Sequence, residues 1–235
     1  MKRYRRGVTN FVWKVDDCTV VKYFSPRRWT ITVMNMFKTF FLDFEYFSES
    51  GSMEREIEAK QKLERIGVDA PRIKNRATDS LEMEYIPGEN LREVLEKSEE
   101  EACHEIGIKK GEQLRKIHMF DYALIDSRLS NNILNDEKIY SIDHELFTEH
   151  PSRAHKEFDL ISLETSARFL EPSKYRAFIQ GVKDGYGEKF GRHSFIRMFL
   201  TLCTGIGFSI FGERSSKSFF NGFRNWMEDI IGKIL

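Results

Sequence analysis

Asp126, Asn131 and Asp143 are the side chains whose types and spacing could do chemistry in this sequence. They lie in residues 125–145, IDSRLSNNILNDEKIYSIDHE, with Asn131 five residues and Asp143 seventeen residues after Asp126. Two carboxylates and a carboxamide supply hard oxygen ligands. Mg²⁺ binds through one or two such carboxylates together with the phosphates of a substrate. A further carboxylate can orient an attacking hydroxyl and accept its proton. The same residue types also build ordinary turns, because Asp, Asn and Ser bond their own neighbouring backbone. The spacing alone leaves both readings open.

Several elements must bring these groups together. Asn10–Val15 and Thr19–Phe24 are β-branched and aromatic runs on either side of Asp16-Asp17, a hairpin pattern. Residues 53–66, MEREIEAKQKLERI, read as a charged amphipathic helix that Gly67 stops. Pro71 leads to a further strand over Leu81–Ile86, closed by Pro87-Gly88. Residues 91–119 then read as helix, 120–149 as short strands and loops, and 156–235 again as mostly helix. Strands first and helices later predict an α+β arrangement with segregated layers. The expected boundary lies near Pro87, between a β-rich part at 1–86 and a helical part at 87–235.

The ordered set resembles the protein-kinase superfamily, whose catalytic loop reads D-x-x-x-x-N and is followed by a metal-binding Asp. It is most similar to the compact atypical members: the RIO kinases, the small kinase of the KEOPS tRNA-modification complex, and the bacterial lipopolysaccharide core heptose kinases. The resemblance covers about residues 4–185. It implies a bilobal fold with a small β-rich N-lobe, ATP and Mg²⁺ as cofactors, and phosphotransfer to a hydroxyl. In that frame Asp126 is the catalytic base, Asn131 and Asp143 are metal ligands, and Arg128 stands where a phosphate-touching lysine is common. Lys22 in TVVKYF takes the place of the lysine that holds the α- and β-phosphates, and Glu58 that of its helix partner. Gly7 is the remnant of the glycine-rich loop, and the backbone of Glu84 and Ile86 in MEYIPG is placed to hold adenine. His118 and Asp159 take structural places behind the catalytic loop. The chain departs from the pattern in three ways: Leu124-Ile125 precedes the catalytic Asp, the metal motif reads Asp143-His144-Glu145, and the glycine loop holds one glycine. A nucleotide-binding scaffold without transfer is the alternative these departures raise.

Charge and composition restrict partners. Lys plus Arg and Asp plus Glu number 37 each, so no overall field favours nucleic acid. Three separated cysteines without a C-x-x-C pair argue against a zinc site or a disulfide framework. The N-terminal segment has basic residues with no apolar run behind them, from which a cytoplasmic location is expected. An aromatic-rich insertion at 29–47 lies between Lys22 and Glu58, where the heptose kinases carry a similar one. The apolar run 195–212 contains Arg197 and is short for a span of about 20 residues. Burial among helices is its expected fate, with peripheral contact to a membrane surface, aided by Arg214, Lys217 and Arg224, as the second reading. The acceptor class is a hydroxyl on a glycan, a glycolipid or a protein.

Overall fold

The computed structural model describes residues 2–6, 10–24 and 49–187. Gly7, the 29–47 insertion and the C-terminal apolar and aromatic segments lie outside the described residues. A five-stranded antiparallel sheet, ordered β1-β2-β3-β5-β4, forms the first layer. Its strands are β1 (Lys2–Arg6), β2 (Asn10–Lys14), β3 (Thr19–Phe24), β4 (Ile73–Arg76) and β5 (Ser80–Glu84). The β2–β3 hairpin follows the Asp16-Asp17 turn, where the Cys18 amide donates to Asp16 Oδ1 at 2.7 Å. The edge strands β1 (KRYRR) and β4 (IKNR) are too polar to stand out as strands in the sequence. Charge on an edge also discourages pairing with another chain.

Helix α1 (Glu49–Arg65) packs across the sheet. Met53 joins Val20, Phe24, Leu81 and Met83 in a small core beneath the sheet. Ala59, Leu63 and Ile66 belong instead to the main core of the helical part. One helix thus connects two cores, and the residues between Met53 and Ala59 sit at the junction. Gly67 ends the helix at φ 65°, a left-handed conformation that glycine adopts without a Cβ penalty. Its amide donates to the Glu64 carbonyl, and that of Val68 to Leu63.

After the Pro87-Gly88 turn come β6 (Glu89–Asn90), α2 (Leu91–Lys97) and α3 (Glu100–Met119). The continuous helix expected over 91–119 is broken at Ser98-Glu99, because Ser98 adopts an extended conformation. Strand β7 (Tyr122–Ala123), a 3₁₀ turn (Leu129–Asn131), β8 (Asn132–Asn135), β9 (Lys138–Ser141) and β10 (Thr148–Glu149) form the polar centre. Helices α4 (Arg153–Ala167) and α5 (Pro172–Tyr186) complete the described chain. Two G-x-x-x-G pairs let α3 and α5 touch backbone to backbone. A Cβ on Gly107 or Gly111 would lie 2.3 Å from a carbonyl oxygen of α5, and one on Gly181 or Gly185 2.0–2.1 Å from a carbonyl of α3. Real Cβ atoms do not approach that closely, so this crossing requires glycine. Among the described residues no helix is long and apolar enough to cross a membrane.

Candidate functional site

Two groups of side chains meet where the sheet faces the helical part. The first centres on Lys22, whose strand is paired on both sides by β2 and β5. Its amine, buried at 4% exposure, lies 2.7 Å from Asp143 Oδ1, 2.8 Å from Glu145 Oε1 and 3.2 Å from Glu56 Oε2. These carboxylate oxygens all lie within 4.8 Å of one another. Glu56 also accepts the His144 amide at 2.7 Å and has the Lys60 amine 3.3 Å from its other oxygen.

Glu58 was the expected helix partner of Lys22, and the structure corrects this. Glu58 is exposed and accepts from Lys62 at 2.7 Å, while Glu56 makes the buried pair. Two residues on a helix are about 200° apart, so the two glutamates face opposite ways. The buried positions Met53, Glu56, Lys60 and Leu63 recur at helical spacing. That apolar phase, carried through Glu56, was the signal in the sequence.

Opposing charges set the protonation of this cluster. Burial pulls the Lys22 amine down, but Asp143, Glu145 and Glu56 outweigh it and hold its pKa well above the ordinary lysine value. Burial pushes the Glu56 carboxyl up, yet Lys22 and Lys60 bring it to about 2. Partial burial likewise lifts Asp143, and Lys22 reverses this and leaves it well below the usual carboxylate range. Glu145 goes the other way: burial, with Asp143 nearby, raises it to about 8 against the pull of Lys22. His144 is 1% exposed, neither ring nitrogen has a hydrogen-bond partner among the described residues, and burial with the charge of Lys60 lowers its pKa to about 3.

The second group is local. Arg128 reaches back two residues and clamps Asp126 bidentately, Nε to Oδ1 at 2.6 Å and Nη2 to Oδ2 at 2.5 Å. The Asn131 amide nitrogen donates to the Asp126 carbonyl at 3.1 Å, so the hard amide oxygen is the atom it can offer to a cation. The Ile142 amide donates to the Asn131 carbonyl at 2.9 Å, which ties this loop to the approach of Asp143. Buried Asp159 accepts the Leu124 amide at 2.7 Å and the His118 ring at 3.2 Å, and His118 in turn meets the Tyr186 hydroxyl at 2.8 Å. Ser127 Oγ donates to the Asp159 carbonyl. His118 and Asp159 therefore hold the loop from behind, where the reading of the sequence put them.

Two of the six described non-glycine residues with positive φ lie at these two places. Ile125 has φ 66° and Asp143 has φ 67°. A β-branched residue in the left-handed region is unfavourable, at about 1–3 kcal/mol, and such strain clusters at functional sites. Near the β5 exit, the Glu84 amide is used by the Arg72 carbonyl at 2.8 Å and the Tyr85 amide by the Cys18 carbonyl at 2.9 Å. Ile86 lies buried two residues on from Glu84. Beyond the residues expected from the sequence, the structure adds Glu56, Lys60 and Glu145 to the cluster. Glu145 had been seen only as part of a relaxed motif.

No protein-family model matches the chain. Among curated proteins it is 31% identical over 147 residues to the KEOPS complex subunit Bud32 of Pyrococcus abyssi, covering 59% of this chain and 66% of the relative. The EKC/KEOPS complex subunit BUD32 of Encephalitozoon cuniculi is 29% identical over 128 residues, covering 52% and 64%. The chain thus spans slightly less than two thirds of the length of these relatives. Among solved structures, WaaP in complex with acyl carrier protein superposes with TM-score 0.52 at 14% identity, covering 77% of each chain. The gentamicin–APH(2")-IIa complex gives TM-score 0.59 at 12% identity, covering 97% of this chain and 90% of the other. The shared fold agrees with the geometry of the Lys22 cluster and the Asp126 loop: the chain has an α+β bilobal protein-kinase-like fold and is similar in sequence to atypical kinase-like relatives.

Proposed function

We propose that this protein is an Mg²⁺- and ATP-dependent phosphotransferase acting on a hydroxyl. The observation that carries the reading is the convergence of Lys22, Glu56 and Asp143, from three separate segments, beside the Asp126–Asn131 loop. Kinase-like relatives and neighbours support it, one neighbour being a streptomycin–ATP complex and another an ADP-bound aminoglycoside phosphotransferase. The donor set fits the metal: carboxylate oxygens of Glu56, Asp143 and Glu145 lie within 4.8 Å of one another, and Asp143 is 43% exposed. Mg²⁺ held there would supply neutralisation of the negative charge on the nucleotide phosphates.

In this reading the chain's own groups position and neutralise. Lys22, steadied by Glu56, would contact the nucleotide phosphates. Asn131 and Asp143 would hold the cation, and the backbone at Glu84 and Ile86 would receive the base. Arg128 leaves the Asp126 carboxylate for the transferred phosphoryl group, and the freed carboxylate orients the acceptor hydroxyl and takes its proton. The acceptor hydroxyl belongs to a glycan or glycolipid, or to a protein Ser or Thr. The aminoglycoside phosphotransferase neighbours support the first class. The relatives' names, which are those of complex subunits, support work beside a protein assembly.

The test is Mg²⁺-dependent turnover of γ-labelled ATP by the purified protein, with Asp126→Ala and Asp143→Asn as controls. Turnover lost in both variants supports the assignment. Full activity in Asp143→Asn overturns the site. ATP binding without turnover in the unaltered chain overturns transfer and leaves a nucleotide-binding scaffold.

A further inference from the structure

Lys110 is fully buried on α3, at 0% exposure, and is among the largest fully buried side chains of the described residues. Lysine is almost never fully buried unless it is paired. Among the described residues no carboxylate bonds its amine. The Lys110 Nζ donates instead to two carboxamide oxygens, Gln113 Oε1 at 2.7 Å and Asn132 Oδ1 at 2.7 Å. Burial lowers its pKa to about 7, opposed by the charge of Asp159 on α4. An apolar side chain would fill that space at less cost, so what the amine's two partners do is informative.

Each carboxamide passes the contact on. Asn132 Nδ2 donates to the carbonyls of Ser127 at 3.4 Å and Arg128 at 2.7 Å, inside the loop between Asp126 and Asn131. Gln113 Nε2 donates to the Ile139 carbonyl at 2.7 Å, in the strand that runs into Asp143. We propose that Lys110 is a positioning residue that ties, through Asn132 and Gln113, the loop carrying Asp126 and Asn131 to the strand that leads into Asp143. One ammonium then sets the separation of the two halves of the site from behind. It touches neither nucleotide nor acceptor. Rotation of either amide would break one arm, because its oxygen faces the amine and its nitrogen faces the backbone. The ammonium, which only donates, fixes both orientations.

The brace itself does not depend on phosphotransfer; only its effect on turnover rests on that reading. The experiment compares amide hydrogen exchange and ATP turnover in the unaltered protein, Lys110→Met and Gln113→Met. Methionine keeps the length of the side chain and removes the donors. In Lys110→Met, exchange should rise about tenfold or more in residues 126–132 and 139–143 together, with the α3–α5 crossing still protected. In Gln113→Met only 139–143 should loosen, and this arm decides if Lys110→Met does not fold. Turnover in Lys110→Met should fall about 100-fold in kcat, as for a misplacement of about 1 Å. Its KM for ATP should stay within about threefold. Exchange that rises uniformly along the chain, or does not change in either segment, overturns the proposal. An unaltered protein that shows no turnover refutes the phosphotransfer reading, and the exchange pattern still decides the brace.

Discussion

The Lys22 cluster and the Asp126 loop hold their carboxylates by different means. Around Lys22, groups from residues 22, 56, 60 and 143–145 meet inside the protein, and their charges are matched only because the sheet, α1 and the Asp143 turn are all in place. Around Asp126, the clamp comes from Arg128 two residues away, and the loop backbone is tied by Asn131, Asn132 and Asp159. The first arrangement rests on long-range charge balance in a desolvated space, where removing one partner leaves another exposed to the full cost of burial. The second rests on local geometry. Damage to the cluster should therefore spread, and damage to the loop should stay local.

The largest effect that would sharpen this contrast is on chemistry. Asp143→Asn should reduce Mg²⁺-dependent turnover by about 10³-fold, or about 4 kcal/mol, measured as kcat/KM with saturating acceptor. Next comes stability. Glu56→Gln leaves Lys60 without its carboxylate and weakens the hold on Lys22, and should lower unfolding free energy in urea by about 3 kcal/mol. An equal loss in Glu58→Gln would break the distinction drawn between the two glutamates.

A smaller effect concerns acid. His144 binds its proton at about 3 in the folded protein against an ordinary value of 6.5, so the unfolded chain takes up the proton first. This contribution is full above pH 6.5 and declines as pH falls from there toward 3, with a slope of up to about 1.4 kcal/mol per pH unit. Glu145, raised to about 8 from 4.5, takes up its proton first in the folded protein and opposes that slope between pH 8 and 4.5. Glu56, depressed to about 2 from 4.5, adds a further loss below pH 4.5. Thermal melts from pH 7 to 5 should therefore change little in the unaltered protein, and in His144→Leu stability should rise as pH falls over that range, since an apolar side chain takes up no proton and leaves only the opposing gain from Glu145. The smallest effect is Glu58→Gln itself, which on an exposed i,i+4 pair should change stability by less than about 0.5 kcal/mol.

Much of the loop was legible because its contacts are short in sequence. The spacing of Asp126 to Asn131 is that of a turn whose side-chain amide bonds the Asp126 carbonyl. Lys22 stood in a β-branched strand, and the Gly67 stop and the Asp16-Asp17 turn follow from local backbone preferences. The edge strands β1 and β4 were not legible, because sequence periodicity marks strands with a buried face and these are mostly charged. Glu58 was chosen over Glu56 because a charged helix shows many plausible acids until one knows which face is covered.

What the amino-acid sequence by itself determined is the succession of strands β2, β3 and β5 before the helical part, and the local chemistry of the Asp126 loop, since both depend on residues a few positions apart. The tertiary structure alone decided that Glu56 and not Glu58 meets Lys22, that Glu145 and Lys60 join the cluster, and that Lys110 is buried behind both halves of the site. Those choices depend on helix phase and on desolvation, and each is fixed only when distant segments pack around the same charge.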